Sequence, residues 1–241
     1  MEELTRIFKQ LDNEQAKISN KPVSLTESSL TESSLTESSL TESSLIDLDD
    51  YTKYNFNDNY DYKDNIWFIL YYLRNEIDDK THIEQNSMFK KNMMEILESY
   101  GKEKKSKLYD RKELSSSIQK ILNTGLSTKL YLSNLYNISI YVLYVQSDIC
   151  IKFGNHEDSY LFLYDNDKMS LYYEEDDVDY ECDIDDDDIV TYDDLNNYKK
   201  LKIAELKELS EKLHIDLTKD DKKKTKALLI NDVEAFLENM L

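Results

Sequence analysis

Hydrophobic and polar positions sort the chain most clearly between Leu130 and Tyr173. Ile138, Ile140, Val142 and Tyr144 alternate with Ser139, Tyr141, Leu143 and Val145. Both faces of this strand are apolar, so it is predicted to be central and covered on both sides. Ser147-Asp148 reads as a turn, residues 149–153 as a second strand ended by Gly154-Asn155, and residues 160–164 as a third closed by Asp165-Asn166-Asp167. Residues 169–173 are a candidate fourth. The connections are short, which predicts antiparallel pairing in a meander. Upstream the apolar period changes to that of helices. Residues 64–77 are apolar almost all round, the mark of a buried helix. Residues 87–100 carry Phe89, Met93, Ile96, Leu97 and Tyr100 on one face. A third helix opens at Asp110-x-x-Glu113, a capping-box pattern, and a fourth runs from a Ser127 cap to Tyr136. Helices followed by an antiparallel sheet define an α+β core domain over residues 64–173.

The flanks follow other rules. Residues 1–20 form an amphipathic helix through Leu4, Ile7, Phe8 and Leu11. Residues 25–44 are four copies of Leu-Thr-Glu-Ser-Ser. A five-residue period advances each leucine by about 140° on a helix and flips it on a strand, so no apolar stripe forms. Residues 21–63 therefore read as a disordered linker, its last part an extended lead-in rich in Asp, Asn and Tyr. Each repeat boundary also gives a Ser-x-x-Glu pattern suited to an acid-directed kinase, although slippage in a repetitive gene with no selected role is the favoured account. Residues 174–197 are an acidic linker. Residues 198–241 form a helical hairpin: Leu206, Leu209 and Leu213 line its first helix, and Leu229, Val233, Phe236, Leu237 and Met240 its second.

Charge sharpens this division. The net charge is −20, yet residues 156–197 alone hold 17 acids against one lysine. Residues 199–226 reverse the sign, with ten lysines against six acids. Bulk acidity opposes DNA binding by the surface as a whole but leaves a local basic site open. Lys222, Lys223, Lys224 and Lys226 are the candidate nucleic-acid-binding residues, placed where a helix begins and free amides can hold phosphate. A hairpin with solvated lysines that binds protein is the alternative.

Candidate chemistry is sparse. With 3 glycines and 1 proline, the chain has no Gly-rich phosphate loop. Cys150 sits mid-strand and Cys182 in an acid run that blunts its thiol, so neither disulfides nor a reactive cysteine are expected, and the compartment should be reducing. No signal peptide and no apolar run of membrane-spanning length is seen, so a soluble protein without membrane contact is expected. His82, His156 and His214 have no metal-ligand spacing. Asp183-x-Asp185-x-Asp187 is similar to a calcium loop, but Asp188 stands where that loop needs glycine. Neither metal, cofactor nor catalytic residue is predicted.

Three resemblances add expectations. Asp64-Asn65-Ile66-Trp67-Phe68 and Leu161-Phe162-Leu163-Tyr164, followed by residues 165–169, resemble the two stretches that carry the catalytic cysteine and histidine in ovarian-tumour, papain-related peptidases. Cysteine and histidine are both missing here, which implies a catalytically dead relative acting as an adaptor for a viral or host protein. Lys202-Ile203-Ala204-Glu205-Leu206-Lys207-Glu208-Leu209 and Lys222 to Ile230 resemble the SAP motif and the N-terminal module of the Rho transcription terminator, helix-extension-helix units that bind nucleic acid. The family's glycine after the first helix is His214 here, so a left-handed cap is strained, and Asp220-Asp221 replace a second glycine. The order of the "WFILYY" helix, "LYNISIYVLY" and the terminal hairpin resembles a family of proteins from mimivirus-type giant DNA viruses. That resemblance implies a protein of the host cytoplasm, at the viral factory, or of the virion. Together these readings predict a non-enzymatic scaffold or DNA-associated protein.

Overall fold

The computed structural model describes residues 51–75, 80–102, 108–123, 125–174, 189–219 and 222–240. The N-terminal helix, the Leu-Thr-Glu-Ser-Ser repeats, the Ser-x-x-Glu sites, and the part of the acidic linker holding Cys182 and the calcium-like loop lie outside the described residues.

Four helices precede the central strands. Helix α1 spans Ile66–Asn75, and Ile66 through Tyr71 are all buried, as an apolar circumference requires. Helix α2 spans His82–Lys102, five residues earlier than the apolar pattern predicts. A capping box sets its start: the Thr81 amide donates to Glu84 Oε2 (3.0 Å) and the Glu84 amide to Thr81 Oγ1 (3.4 Å). Helix α3 spans Arg111–Lys120, and Asp110 accepts from the amides of Lys112 and Glu113. The predicted return bond from Glu113 is not made; its carboxylate accepts instead from the Thr128 amide (3.2 Å). Helix α4 spans Leu126–Tyr136 and is preceded by Gly125, not by Ser127. Ser127 lies inside the helix, where its hydroxyl accepts from the Asp110 amide (3.0 Å). Gly125 has φ +93°, which disfavours any other residue, and a Cβ there would sit 2.2 Å from Glu113 Oε1, so a side chain would also force Glu113 to move.

The sheet corrects the expected meander. Its strands are β1 (Tyr51–Lys53), β2 (Ser139–Tyr144), β3 (Ile149–Phe153), β4 (Ser159–Asp165), β5 (Lys168–Glu174) and β6 (Val190–Thr191), in the order β1-β5-β4-β2-β3-β6. The pairs β1–β5, β4–β5 and β2–β3 are antiparallel, but β2–β4 and β3–β6 are parallel. The sheet is mixed within an α+β arrangement of seven helices and six strands in this sheet, among the described residues. Residues 154–158 do not fold β4 back onto β3; they arch over the start of β2 and deliver β4 to its far side. Five residues can span the two strand spacings, about 10 Å, and β3 itself serves as the crossover between the parallel strands. The arch is pinned to Ser139, whose hydroxyl bonds the amide (2.8 Å) and carbonyl (2.9 Å) of His156. It starts at Gly154, with φ +80°, where a Cβ would lie 1.9 Å from Ser133 Oγ.

Strand β2 is buried along its whole length. Ile140, Val142 and Tyr144 join the main hydrophobic cluster with α1–α4, while Tyr141 and Leu143 join a second cluster on the other face. Residues 51–63 belong to the folded unit rather than to a linker, since β1 closes one sheet edge and Tyr54, Phe56 and Tyr60 pack on the core.

After β6 come helix α5 (Tyr192–Asn197), a 3₁₀ turn, and helix α6 (Ile203–Lys212). A two-stranded ribbon of β7 (Thr218–Lys219) and β8 (Lys222–Lys223) leads to helix α7 (Lys226–Met240). Leu206, Leu209, Leu213, Leu229 and Val233 are buried in the same cluster as α1 and β2. His214 adopts φ +55° in a Schellman cap. Its amide bonds the Glu211 carbonyl (2.9 Å), and the Ile215 amide bonds that of Ser210 (2.8 Å).

Candidate nucleic-acid interface

The ribbon presents the lysines. Lys219 lies directly opposite Lys222, and Thr218 opposite Lys223. Lys219, Lys222 and Lys223 are exposed. Like charges facing each other across two strands destabilise the pair, so this arrangement favours an anion between them. Thr225 caps α7: its hydroxyl accepts from the Leu228 amide (3.4 Å) and its carbonyl from the Leu229 amide (3.1 Å). Lys226, the first residue of α7, is half-buried. The helix dipole adds positive potential at this end.

Lys224 departs from its predicted role. Its side chain is only 11% exposed and its ammonium lies 2.8 Å from Asp232 Oδ2. The ribbon bond from the Lys224 amide to the Leu217 carbonyl (2.9 Å) turns it inward. The structure thus brings Lys222 and Lys223 together, sets Lys226 one turn along, withdraws Lys224, and adds Lys219. A sequence signal for Lys219 exists in the spacing alone: two residues separate Lys219 from Lys222, the length of the shortest hairpin loops.

A second constellation forms at the start of α1. Asn65 Oδ1 accepts from the Trp67 amide (3.0 Å), and Asn123 Oδ1 accepts from the Ile66 amide (2.9 Å). Asn123 Nδ2 donates to the carbonyls of Asp64 (2.8 Å) and Asp167 (2.6 Å), and the Met169 amide to that of Asp64 (2.9 Å). The two stretches that resemble the peptidase positions, about a hundred residues apart in sequence, therefore touch. Neither contains cysteine or histidine. Cys150 is fully buried on β3, and His156 lies in the arch over β2.

Behind this network lies Lys129, 1% exposed. Its ammonium donates to the Asn123 carbonyl (2.5 Å) and lies 5.4 Å and 5.9 Å from the ring centroids of Tyr164 and Tyr144. Burial lowers its pKa to about 7, against a smaller opposing pull from Glu113. Burial raises the Glu113 carboxyl, opposed by the Thr128 amide bond and by Lys129. Sequence reasoning missed Lys129 and Asn123, because a lysine within an amphipathic helix reads as solvated. Among the described residues no group of His, Cys, Asp and Glu could hold a metal ion, and no helix is long and apolar enough to cross a membrane.

Comparison of the chain with protein-family models, with curated proteins and with solved structures finds no match. The chemistry of these sites is therefore what bears on function.

Proposed function

We propose that the chain is a non-enzymatic protein that holds nucleic acid by its phosphate backbone through the ribbon at residues 218–223 and the start of α7. The observation that carries this reading is the exposed pair Lys219 and Lys222 facing each other, with Lys223 beside them. Three phosphate contacts and no base readout give non-specific affinity, with Kd on the order of 10⁻⁴ to 10⁻⁵ M. The 17 acids of residues 156–197 compete for the same lysines and hold the affinity near the weak end. The resemblance to proteins of giant DNA viruses supports a role at a viral factory in the host cytoplasm or in the virion.

The test is fluorescence anisotropy of the full chain with a labelled DNA duplex across salt concentrations. Three contacts predict a log-log slope of about −2.7. Changing Lys219, Lys222 and Lys223 to Gln should remove most binding and flatten the slope, whereas Lys224→Gln should leave the slope unchanged. Salt-independent binding, or equal binding by the triple variant, overturns the reading.

A second reading is supported by the meeting of Asp64 with Asp167 through Asn123 and with Met169 directly. It is a degenerate papain-like core that serves as an adaptor for a viral or host protein. Turnover of a peptide substrate, lost on Cys150→Ala or His156→Ala, would restore an enzyme instead.

A further inference from the structure

The second face of the sheet is closed without a helix. Tyr141, Leu143, Cys150, Leu161 and Leu163 point away from α1–α4, and each is at most 7% exposed. Among the described residues no hydrophobic side chain of a helix belongs to their cluster; its other members are Ile189 and, at the margin, Tyr51, Val145 and Tyr172. Neighbouring strands shield a side chain from the sides but not from above, so an apolar face buried to this degree carries a cover.

The topology shows where the cover comes from. Strands β5 and β6 run parallel, four strand positions apart. Val190 stands in one row with Ile151, Val142, Phe162 and Leu171. The chain leaving β5 at Glu174 therefore returns about 10 Å along the strands and crosses four spacings, about 19 Å, to enter β6. Residues 175–188 make that connection, and their extended reach of about 46 Å is ample for it. The hand of the connection fixes the face. The Tyr54 amide bonds the Leu171 carbonyl (2.9 Å), so the peptide groups of Leu171 face β1 while its side chain faces the helices. For L residues this sets β1 to the right of an upward β5 seen from the helices, and β6 to the left. A connection between parallel strands is right-handed as a rule, and to a strand on the left it then passes behind the sheet, over the second face.

The sequence of the connection suits that face. Ten of residues 175–188 are acidic, and the other four are Val178, Tyr180, Cys182 and Ile184. Those four occupy alternate positions, which share one side of an extended chain, and together they span about 20 Å. Ile189, where the connection ends, already lies in the cluster. Lys152 is on the same face, its ammonium 5.1 Å from the Tyr141 ring centroid, and suits an acidic neighbour. The other apolar stretches outside the described residues, Leu4 to Leu11 and Leu45 to Leu48, are tethered to the sheet on one side only, at β1.

We propose that residues 177–185 dock as an extended segment on this second face, with Val178, Tyr180, Cys182 and Ile184 turned onto Leu143, Cys150, Leu161 and Leu163 and the acids between them turned outward. The acidic stretch is then a layer of the fold rather than a spacer between two domains. Its carboxylates give the molecule a negative side away from α6 and α7, which orients an approaching polyanion toward the ribbon. That consequence rests on the phosphate-binding reading; the docking does not.

The experiment is methyl NMR on the full chain with isoleucine, leucine and valine methyls labelled and no nucleic acid present. Nuclear Overhauser contacts from the Val178 and Ile184 methyls to those of Leu143, Leu161 or Leu163 are expected. Their absence overturns the proposal, as do contacts to that face from Leu4, Ile7, Leu11, Leu45, Ile46 or Leu48 in their place. Cys150 gives a second readout, since it lies under the cover. The double variant Val178→Asp, Ile184→Asp should raise the rate of Cys150 alkylation by iodoacetamide about tenfold, read by mass spectrometry of its peptide. Asp179→Asn with Asp183→Asn, on the outward side, should leave that rate within about twofold. Unchanged alkylation in the Val178 and Ile184 variant overturns the docking, and if that variant fails to fold, the wild-type methyl contacts decide.

Discussion

Lysine is used in opposite ways in the core and on the ribbon of this molecule. Lys129 is shut inside the core, against two tyrosine rings and a single carbonyl. The ribbon lysines stand in water, two of them facing each other. Burial removes hydration that one carbonyl and two ring faces only partly replace, so the interior lysine moves toward its neutral form. The ribbon lysines keep their hydration, and their mutual repulsion costs little because solvent and salt screen it. Interior polar groups are thus constrained by hydrogen-bond satisfaction, and surface charges by what they can attract.

The largest effect is expected where the interior network is cut. Asn123→Ala removes three side-chain hydrogen bonds, strands the buried Ile66 amide and leaves the Asp64 carbonyl to the Met169 amide alone. Stranded buried groups are costly, so urea unfolding should show a loss of about 3 kcal/mol or more. Lys222→Gln in the same assay should stay within about 0.5 kcal/mol of wild type. Equal losses in the two variants would erase the contrast between the regions.

How much of that contrast was legible beforehand depends on what periodicity can encode. The alternation from Ile138 to Val145 placed β2 at the centre, because a strand apolar on both faces has to be covered on both. Asp110 was visible as a cap and His214 as a strained one, since both signals are local. The parallel pairing of β2 with β4 was not visible. A five-residue loop that starts with glycine is common to hairpins and to an arch over one strand, and only the contacts of Ser139 and Gly154 choose between them. Asn123 was hidden for a related reason: its side-chain partners, at Asp64, Ile66 and Asp167, are all distant in sequence, and that network and the Tyr164 ring enclose Lys129. The pairing of Lys224 was hidden for the same reason, since its partner Asp232 lies two turns into the following helix.

Titration sharpens the comparison with a middling effect. The folded state holds Lys129 near pH 7, well below its ordinary value of 10.5. The unfolded chain therefore binds one more proton between these two values, and stability rises with pH across that window. Below about pH 7 the penalty is fully present. The slope is at most about 1.4 kcal/mol per pH unit. Measured between about pH 7.5 and 9, wild type should gain about 1 kcal/mol per unit over Lys129→Met, whose stability lacks this dependence. Burial raises the hydroxyls of Tyr136 and Tyr144, so the window is clear of them. Parallel pH profiles for the two proteins would mean that Lys129 is charged in the fold and held by more than its one carbonyl.

The smallest effect concerns the ribbon and runs in the other direction. Lys219 faces Lys222 with no counter-ion between them among the described residues. Removing one charge relieves a like-charge cross-strand pair, worth a few tenths of a kcal/mol. Lys219→Gln should therefore raise stability by about 0.3 kcal/mol at low salt, while weakening duplex binding severalfold. In about 1 M salt the Debye length falls to roughly 3 Å, and the stability difference should vanish together with the binding. Lys129→Met should behave differently, since its stability effect depends on burial and survives the same salt. If Lys219→Gln is destabilising, or its effect persists in high salt, then Lys219 is a structural part of the ribbon, and the phosphate reading falls back on Lys222 and Lys223 alone.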